Sequence, residues 1–143
     1  RMSDAKAAWD EARRRAEAAV KKDADDPRAG FYLGAALVRL QRYDDARSAL
    51  DAALENGFDP VLVHYQRGLS LAFAKKWGPA VQAFDEVISR DDRFAYAYYF
   101  RGLSWKQRGR TDKMLNDLER FVSLAADAPD ADTAKALLSA AGR

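Results

Sequence analysis

Small and apolar residues recur along this chain in a single register. Gly34, Gly68 and Gly102 stand 34 residues apart, with Phe31, Tyr65 and Tyr99 three places before them and Leu37, Leu71 and Trp105 three places after. Further along the same register come Tyr43 and Trp77, then Ala46 and Ala80, then Leu50, Phe84 and Leu118, then Ala53, Val87 and Phe121. Within each unit the apolar places fall at helical spacing, interrupted once by a short polar stretch: Gln41-Arg42, Lys75-Lys76, and Arg108-Gly109-Arg110. Each unit is therefore predicted to be two antiparallel helices. A glycine inside the first helix costs about 1 kcal/mol of helix propensity, so its recurrence points to close approach of a second helix. Gly34, Gly68 and Gly102, with Ala46 and Ala80, are assigned as the residues that pack one helix on the next.

Punctuation follows the same plan. Pro27 and Pro60 mark the starts of the first two units and Pro129 the end of the third, while Asp44-Asp45 and Asp112 place acidic groups in first turns, where the macrodipole favours them. Thirty-four residues before Tyr43, Ala46, Leu50 and Ala53 lie Trp9, Ala12, Ala16 and Ala19. Residues 3–22 thus read as the second helix of a unit whose first helix is absent. Residues 130–141, with Asp130 or Asp132 as N-cap and Leu137 and Leu138 apolar, read as a helix covering the last apolar face. The expected organisation is one domain: a half unit at 3–22, units at 27–60, 61–94 and 95–128, and a cap at 130–141.

The period, the helix-turn-helix unit and the run from Tyr32 to Leu54 resemble the tetratricopeptide repeat family. This likeness implies an all-α, right-handed α-α superhelix of about eight antiparallel helices, with the first helix of each unit lining a concave side and the second a convex side. It also implies a binding scaffold, an adaptor without catalysis. There are departures: Gly30, His64 and Tyr98 fill the opening tryptophan place, Arg67 and Arg101 replace a leucine, and Met114 stands where alanine is usual.

Composition narrows the chemistry. There is no cysteine and one histidine, which removes thiolate metal sites, cysteine nucleophiles and histidine-rich centres. His64 is expected to pack between helices rather than to ligate or catalyse. Asp25-Asp26, Asp44-Asp45 and Asp91-Asp92 are read as helix-start residues, not as metal ligands or an acid-base pair. No catalytic residues, cofactor or metal are assigned, and the chain is expected not to be an enzyme. Lysine plus arginine number 24 against 22 aspartate plus glutamate, and no apolar run is long enough to span a bilayer. Neither nucleic acid nor membrane insertion is expected. The excess of cations around Arg101, Lys106, Arg108, Arg110 and Lys113, and the run Arg13 to Arg15, are read as solvated faces. Arg1 precedes Met2 and reads as a remnant, with the natural N-terminus and any targeting segment it carried expected to be missing, and the lack of cysteine fits cytoplasm and periplasm alike.

Residues one turn apart on the first helices define the expected groove: Phe31 and Arg39; Leu62, Tyr65, Leu69 and Phe73; Tyr96, Tyr99, Leu103 and Lys106. Phe31, Tyr65 and Tyr99 form an aromatic ladder suited to a peptide or helix of a partner protein. Members of the family that grip a C-terminal carboxylate use lysine, arginine and asparagine at set groove places, here occupied by Phe31, Ala35, Gln66, Tyr96 and Phe100. An apolar or aromatic ligand is therefore expected rather than an acidic tail. The alternative is self-assembly into homo-oligomers through the terminal units and groove.

Overall fold

The computed structural model describes residues 2–143. The reading of Arg1 falls outside that span. The described residues form eight α-helices and no strand: α1 Met2–Lys22, α2 Pro27–Arg39, α3 Tyr43–Glu55, α4 Pro60–Phe73, α5 Trp77–Arg90, α6 Ala95–Gln107, α7 Thr111–Leu124 and α8 Ala131–Ala140. Helices α2 and α3, α4 and α5, and α6 and α7 pack as hairpins, and each hairpin leans on the next through α3–α4 and α5–α6. Helix α1 packs on α2 and α8 on α7, so both ends of the stack are closed by a single helix.

Local chemistry explains the starts and stops. Asp26 and Asp59 accept hydrogen bonds from the N–H groups of Arg28 and Val61, each at 3.0 Å, with Pro27 and Pro60 opening the helix behind them. Because Pro60 begins α4, that helix starts one residue before the expected unit boundary at 61. The hairpin turns share one device that the polar dipeptides did not reveal. Gln41, Lys75 and Gly109, spaced at the repeat period, all have positive φ, at 61°, 63° and 75°. In each turn the next residue's N–H reaches back five positions: Arg42 to the Leu37 carbonyl, Lys76 to that of Leu71, Arg110 to that of Trp105. This is the Schellman closure, which ends a helix and reverses the chain in three residues.

Asp91 and Asp92 do not start a helix. Asp91 ends α5, its carboxylate accepting the N–H of Arg93 at 3.1 Å, and Asp92 lies in the turn, its carbonyl taking the Tyr98 hydroxyl at 2.9 Å. Nor does the carboxylate of Asp130 cap α8. Its oxygen instead accepts the hydroxyl of Tyr96, at 3.0 Å, which ties the last helix to α6.

The interior runs unbroken from one hairpin to the next. Leu50, Val63, Leu69, Phe84, Leu118 and Phe121 are fully buried, and Ala46 and Ala80 lie beside them with no exposed surface. A β-carbon on Gly34 would fall 2.6 Å from Leu50, and one on Gly68 2.5 Å from the Phe84 ring. Gly102 meets Asp117 and the Met114 carbonyl at 3.2 and 3.4 Å. The arginines that replace leucine are accommodated by charge: Arg67 pairs with Asp51, and Arg101 bridges Asp117 at 2.7 Å and Asp85 at 2.9 Å. In both units the arginine sits 16 residues after an aspartate of the preceding helix, so an ion pair between neighbouring hairpins repeats with the fold.

Candidate functional site

Helices α2, α4 and α6 line one side of the stack, and their side chains separate into a buried set and an open set. The aromatic ladder belongs mainly to the buried set. Phe31, 8% exposed, stacks face to face on Phe58 with ring centres 4.3 Å apart. Tyr99, 6% exposed, packs on Phe121 at 4.9 Å and on Phe100 at 5.1 Å. Leu69 is fully buried beneath them. These three are inter-helix core rather than ligand surface, because aromatic residues outside the expected groove set, Phe58 of the α3–α4 turn and Phe100 and Phe121 of the third hairpin, close over the ladder. Tyr65 is half-buried, 4.7 Å from Phe94, and burial pushes its hydroxyl pKa up, beyond the ordinary tyrosine value.

What stays open is a row along the C-terminal ends of the first helices. The guanidinium of Arg39 lies 5.6 Å from the centre of the Trp9 ring and 5.7 Å from that of Phe73. Trp9 is 38% and Phe73 36% exposed; on α6 the equivalent place is Gln107, next to Lys106, both exposed. Phe73 in turn meets Phe100 edge to face at 6.2 Å. Leu62, Leu103 and Tyr96 are half-buried; Leu62 and Tyr96 lie in the first turns of α4 and α6, at the other end of these helices from the row. Trp9 was expected only as a packing residue. Its membership of the row comes from the contact with Arg39 of α2, which spacing along α1 does not report.

A second open aromatic, Tyr32, is 57% exposed. Its register equivalents are Gln66 and Phe100, and Phe100 is covered from Tyr65 and Phe73 of the preceding hairpin. Among the described residues Tyr32 meets the ring of Phe31, 5.7 Å away on its own helix. Gln66 is the odd member of this position, with its amide oxygen buried and lacking a hydrogen-bond partner among the described residues.

His64 faces the other way. It lines a cleft of about 470 Å³ between α3 and α5, with Arg47, Arg67, Lys76, Gln82 and Glu86 on its walls. Burial, helped by Arg67 and Arg90, lowers the pKa of the imidazole. Asp117 shows the opposite tendency: burial raises its carboxyl pKa while the hydrogen-bonded Arg101 pulls it down. Among the described residues no group of three or more histidine or acidic side chains could hold a metal ion, and no helix is long and apolar enough to cross a membrane.

Hairpins of two helices, stacked in one register with a close-approach glycine in each, define an all-α repeat solenoid. Residues 6–60 match the family model described as tetratricopeptide repeat, and the same unit recurs from Pro60 to Leu124. Among solved structures the chain is similar to MamA, with a TM-score of 0.73 and 21% identity over 96% of this chain and 79% of that one. MamA from Desulfovibrio magneticus RS-1 gives 0.71 and 21% over 92% and 82%. PcrH, solved in complex with the chaperone binding region of PopB, gives 0.67 and 19% over 82% and 93%. At such identities the likeness is one of fold. No curated protein matches the chain.

Proposed function

We propose that this protein is a non-enzymatic interaction scaffold, built as the half unit, three units and cap delineated above, that holds a peptide or helix of a partner protein along the faces of α2, α4 and α6. The observation that carries the reading is the row Trp9, Arg39 and Phe73, contributed by three different helices and left open where Phe31 and Tyr99 are buried. Rigid aromatic and arginine anchors on preformed helices bind with little ordering cost, which is how interface hot spots are made. PcrH, of the same fold, was solved in complex with the chaperone binding region of PopB, which fits this use of the solenoid. The favoured ligand is an apolar or aromatic-bearing segment, with Arg39 and Lys106 orienting it from the rim.

The test is selection of a displayed random-peptide library on the full chain, followed by titration of recovered peptides against an Arg39→Ala/Phe73→Ala double variant. Recovered sequences should be rich in aromatic and aliphatic residues, and affinity should fall at least about tenfold with helicity unchanged. Equal affinity for both proteins overturns the reading. Tyr65 and Tyr99 are unsuitable for this test, since both are packed among other rings.

The exposed Tyr32 supports a second reading, in which copies associate where α1 lacks a covering helix. Light scattering over a concentration series decides it: a mass that rises with concentration and returns to the monomer in Tyr32→Ser supports association there, and a constant monomer removes it.

A further inference from the structure

The small net charge conceals a segregation. Three cations surround the indole of Trp105 at the α6–α7 turn: Lys113 Nζ lies 4.3 Å from the ring centre, the Arg108 guanidinium 5.4 Å and that of Arg110 6.0 Å. Arg110 is neutralised by Asp112 at 3.0 Å. Arg108 and Lys113 have no carboxylate within 4.0 Å among the described residues. The adjoining α4–α5 turn adds Lys75 and Lys76, both exposed and equally unpaired. The two turns touch, since Arg108 lies 3.6 Å from where a β-carbon on Gly78 would stand. The opposite edge, at the α3–α4, α5–α6 and α7–α8 turns, carries Asp59, Asp91, Asp92, Asp127 and Asp130.

A helix of 13 residues, such as α6, separates these edges by roughly 20 Å. The Debye length at physiological ionic strength is about 8 Å, so the acidic edge does not cancel the field of the basic one. A charged segment approaching the α4–α5 and α6–α7 turns meets Lys75, Lys76, Arg108 and Lys113, while the Asp112 carboxylate there is held by Arg110.

We infer that this edge docks an acidic polypeptide segment, at a surface distinct from the aromatic row. Cations held at fixed positions around a half-buried indole lose less side-chain freedom on binding carboxylates than lysines on open surface do. Nucleic acid is the poorer fit. The Trp105 ring is already attended by three cations, which leaves it no face for stacking a base. Complementary charge of this kind acts mainly on association rate and is steeply salt-dependent.

The experiment uses the full chain and fluorescein-labelled poly-L-glutamate, with anisotropy read at low salt and again at about 0.3 M NaCl. Binding should be present at low salt, weaken at least about tenfold at high salt, and weaken similarly in Arg108→Glu/Lys113→Glu. Lys75→Glu/Lys76→Glu, both exposed in the turn, should lose affinity with no change in circular dichroism. Arg14→Glu/Arg15→Glu on α1 should bind like the parent. No binding of poly-L-glutamate, or indifference to both turn variants, overturns the inference. So does tighter binding of poly-uridine, which would make the edge a nucleic-acid surface. Low-salt self-association in sedimentation velocity that vanishes in the Lys75/Lys76 variant also overturns it, by making a second copy's acidic edge the occupant.

Discussion

Gly68 lies so close to Phe84 that a β-carbon on it would come within 2.5 Å of the ring. Phe84 has no exposed surface, so the ring has nowhere to move without displacing its neighbours. Gly68→Ala gains about 1 kcal/mol of helix propensity but overpacks the α4–α5 crossing, and a net loss of about 1–3 kcal/mol is expected. At Gly102 the nearest atoms are 3.2 and 3.4 Å away, so Gly102→Ala should change stability by less than about 1 kcal/mol. Urea denaturation of the two variants side by side measures the difference. Equal midpoints would show that the glycines are not there for close approach.

Arg101 joins three helices, and its two partners should differ sharply in weight. Asp117 is buried and accepts two hydrogen bonds from the guanidinium, at 2.7 and 2.9 Å, whereas Asp85 is exposed. Removing Asp117 leaves an inward cation without its main partner, and Asp117→Ala should cost about 3 kcal/mol or more. Asp85→Ala removes a solvated pair and should cost less than about 1 kcal/mol. Thermal midpoints of the two variants check this, and a larger drop for Asp85→Ala contradicts the assignment.

The helices and their pairing were legible in the sequence because every recurring contact is made by residues in the same chemical role. Gly34, Gly68 and Gly102 each lie against the following helix, and the recurring register places around them are filled by apolar residues, aliphatic in some units and aromatic in others, as at Leu50, Phe84 and Leu118. The site was less legible for a specific reason. Phe58 covers Phe31 and Phe94 lies against Tyr65, yet both covering residues come from connecting turns and stand outside the register. Helical periodicity says which face a residue is on, and it cannot say what a turn folds over that face. The same limit hid the open row, because the meeting of Trp9, Arg39 and Phe73 joins three helices and no local periodicity reports contacts across helices. Arg101 and Arg67 were visible as departures, and aspartates 16 residues earlier were the available signal of their pairing.

The shared turn device makes a prediction of opposite signs. Lys75 holds φ at 63°, a left-handed conformation that costs a side-chain-bearing residue about 1 kcal/mol, and Gly109 adopts the equivalent conformation at 75° without that penalty. Lys75→Gly should therefore raise stability by about 0.5–1 kcal/mol, less whatever the unfolded chain gains in freedom, and Gly109→Ala should lower it by about 1 kcal/mol. Nothing lies within 4 Å of a β-carbon at Gly109, so the loss would be conformational and not steric. Chemical denaturation of both single variants, with helical content monitored by circular dichroism, reads the two signs directly.

His64 supplies the pH dependence. Burial, with Arg67 and Arg90 nearby, lowers its pKa in the folded state, against which Glu86 acts in the other direction. Since the unfolded imidazole binds its proton near pH 6.5, the unfolded state takes up a proton first as the solution is acidified. Stability due to this group is thus complete above that pH and falls as pH drops through it towards the folded value. His64→Gln, which keeps a polar side chain in the cleft and cannot titrate, should flatten that part of the profile. Carboxylates begin to titrate in the same range, but they contribute alike to parent and variant and cancel in the difference. Unfolding free energies for the two proteins at intervals from about pH 7.5 to about pH 5.5 should diverge steadily in favour of the variant on the acid side. A constant difference across that range would mean that the imidazole keeps the same proton affinity folded and unfolded, and that its place in the cleft wall is electrostatically neutral.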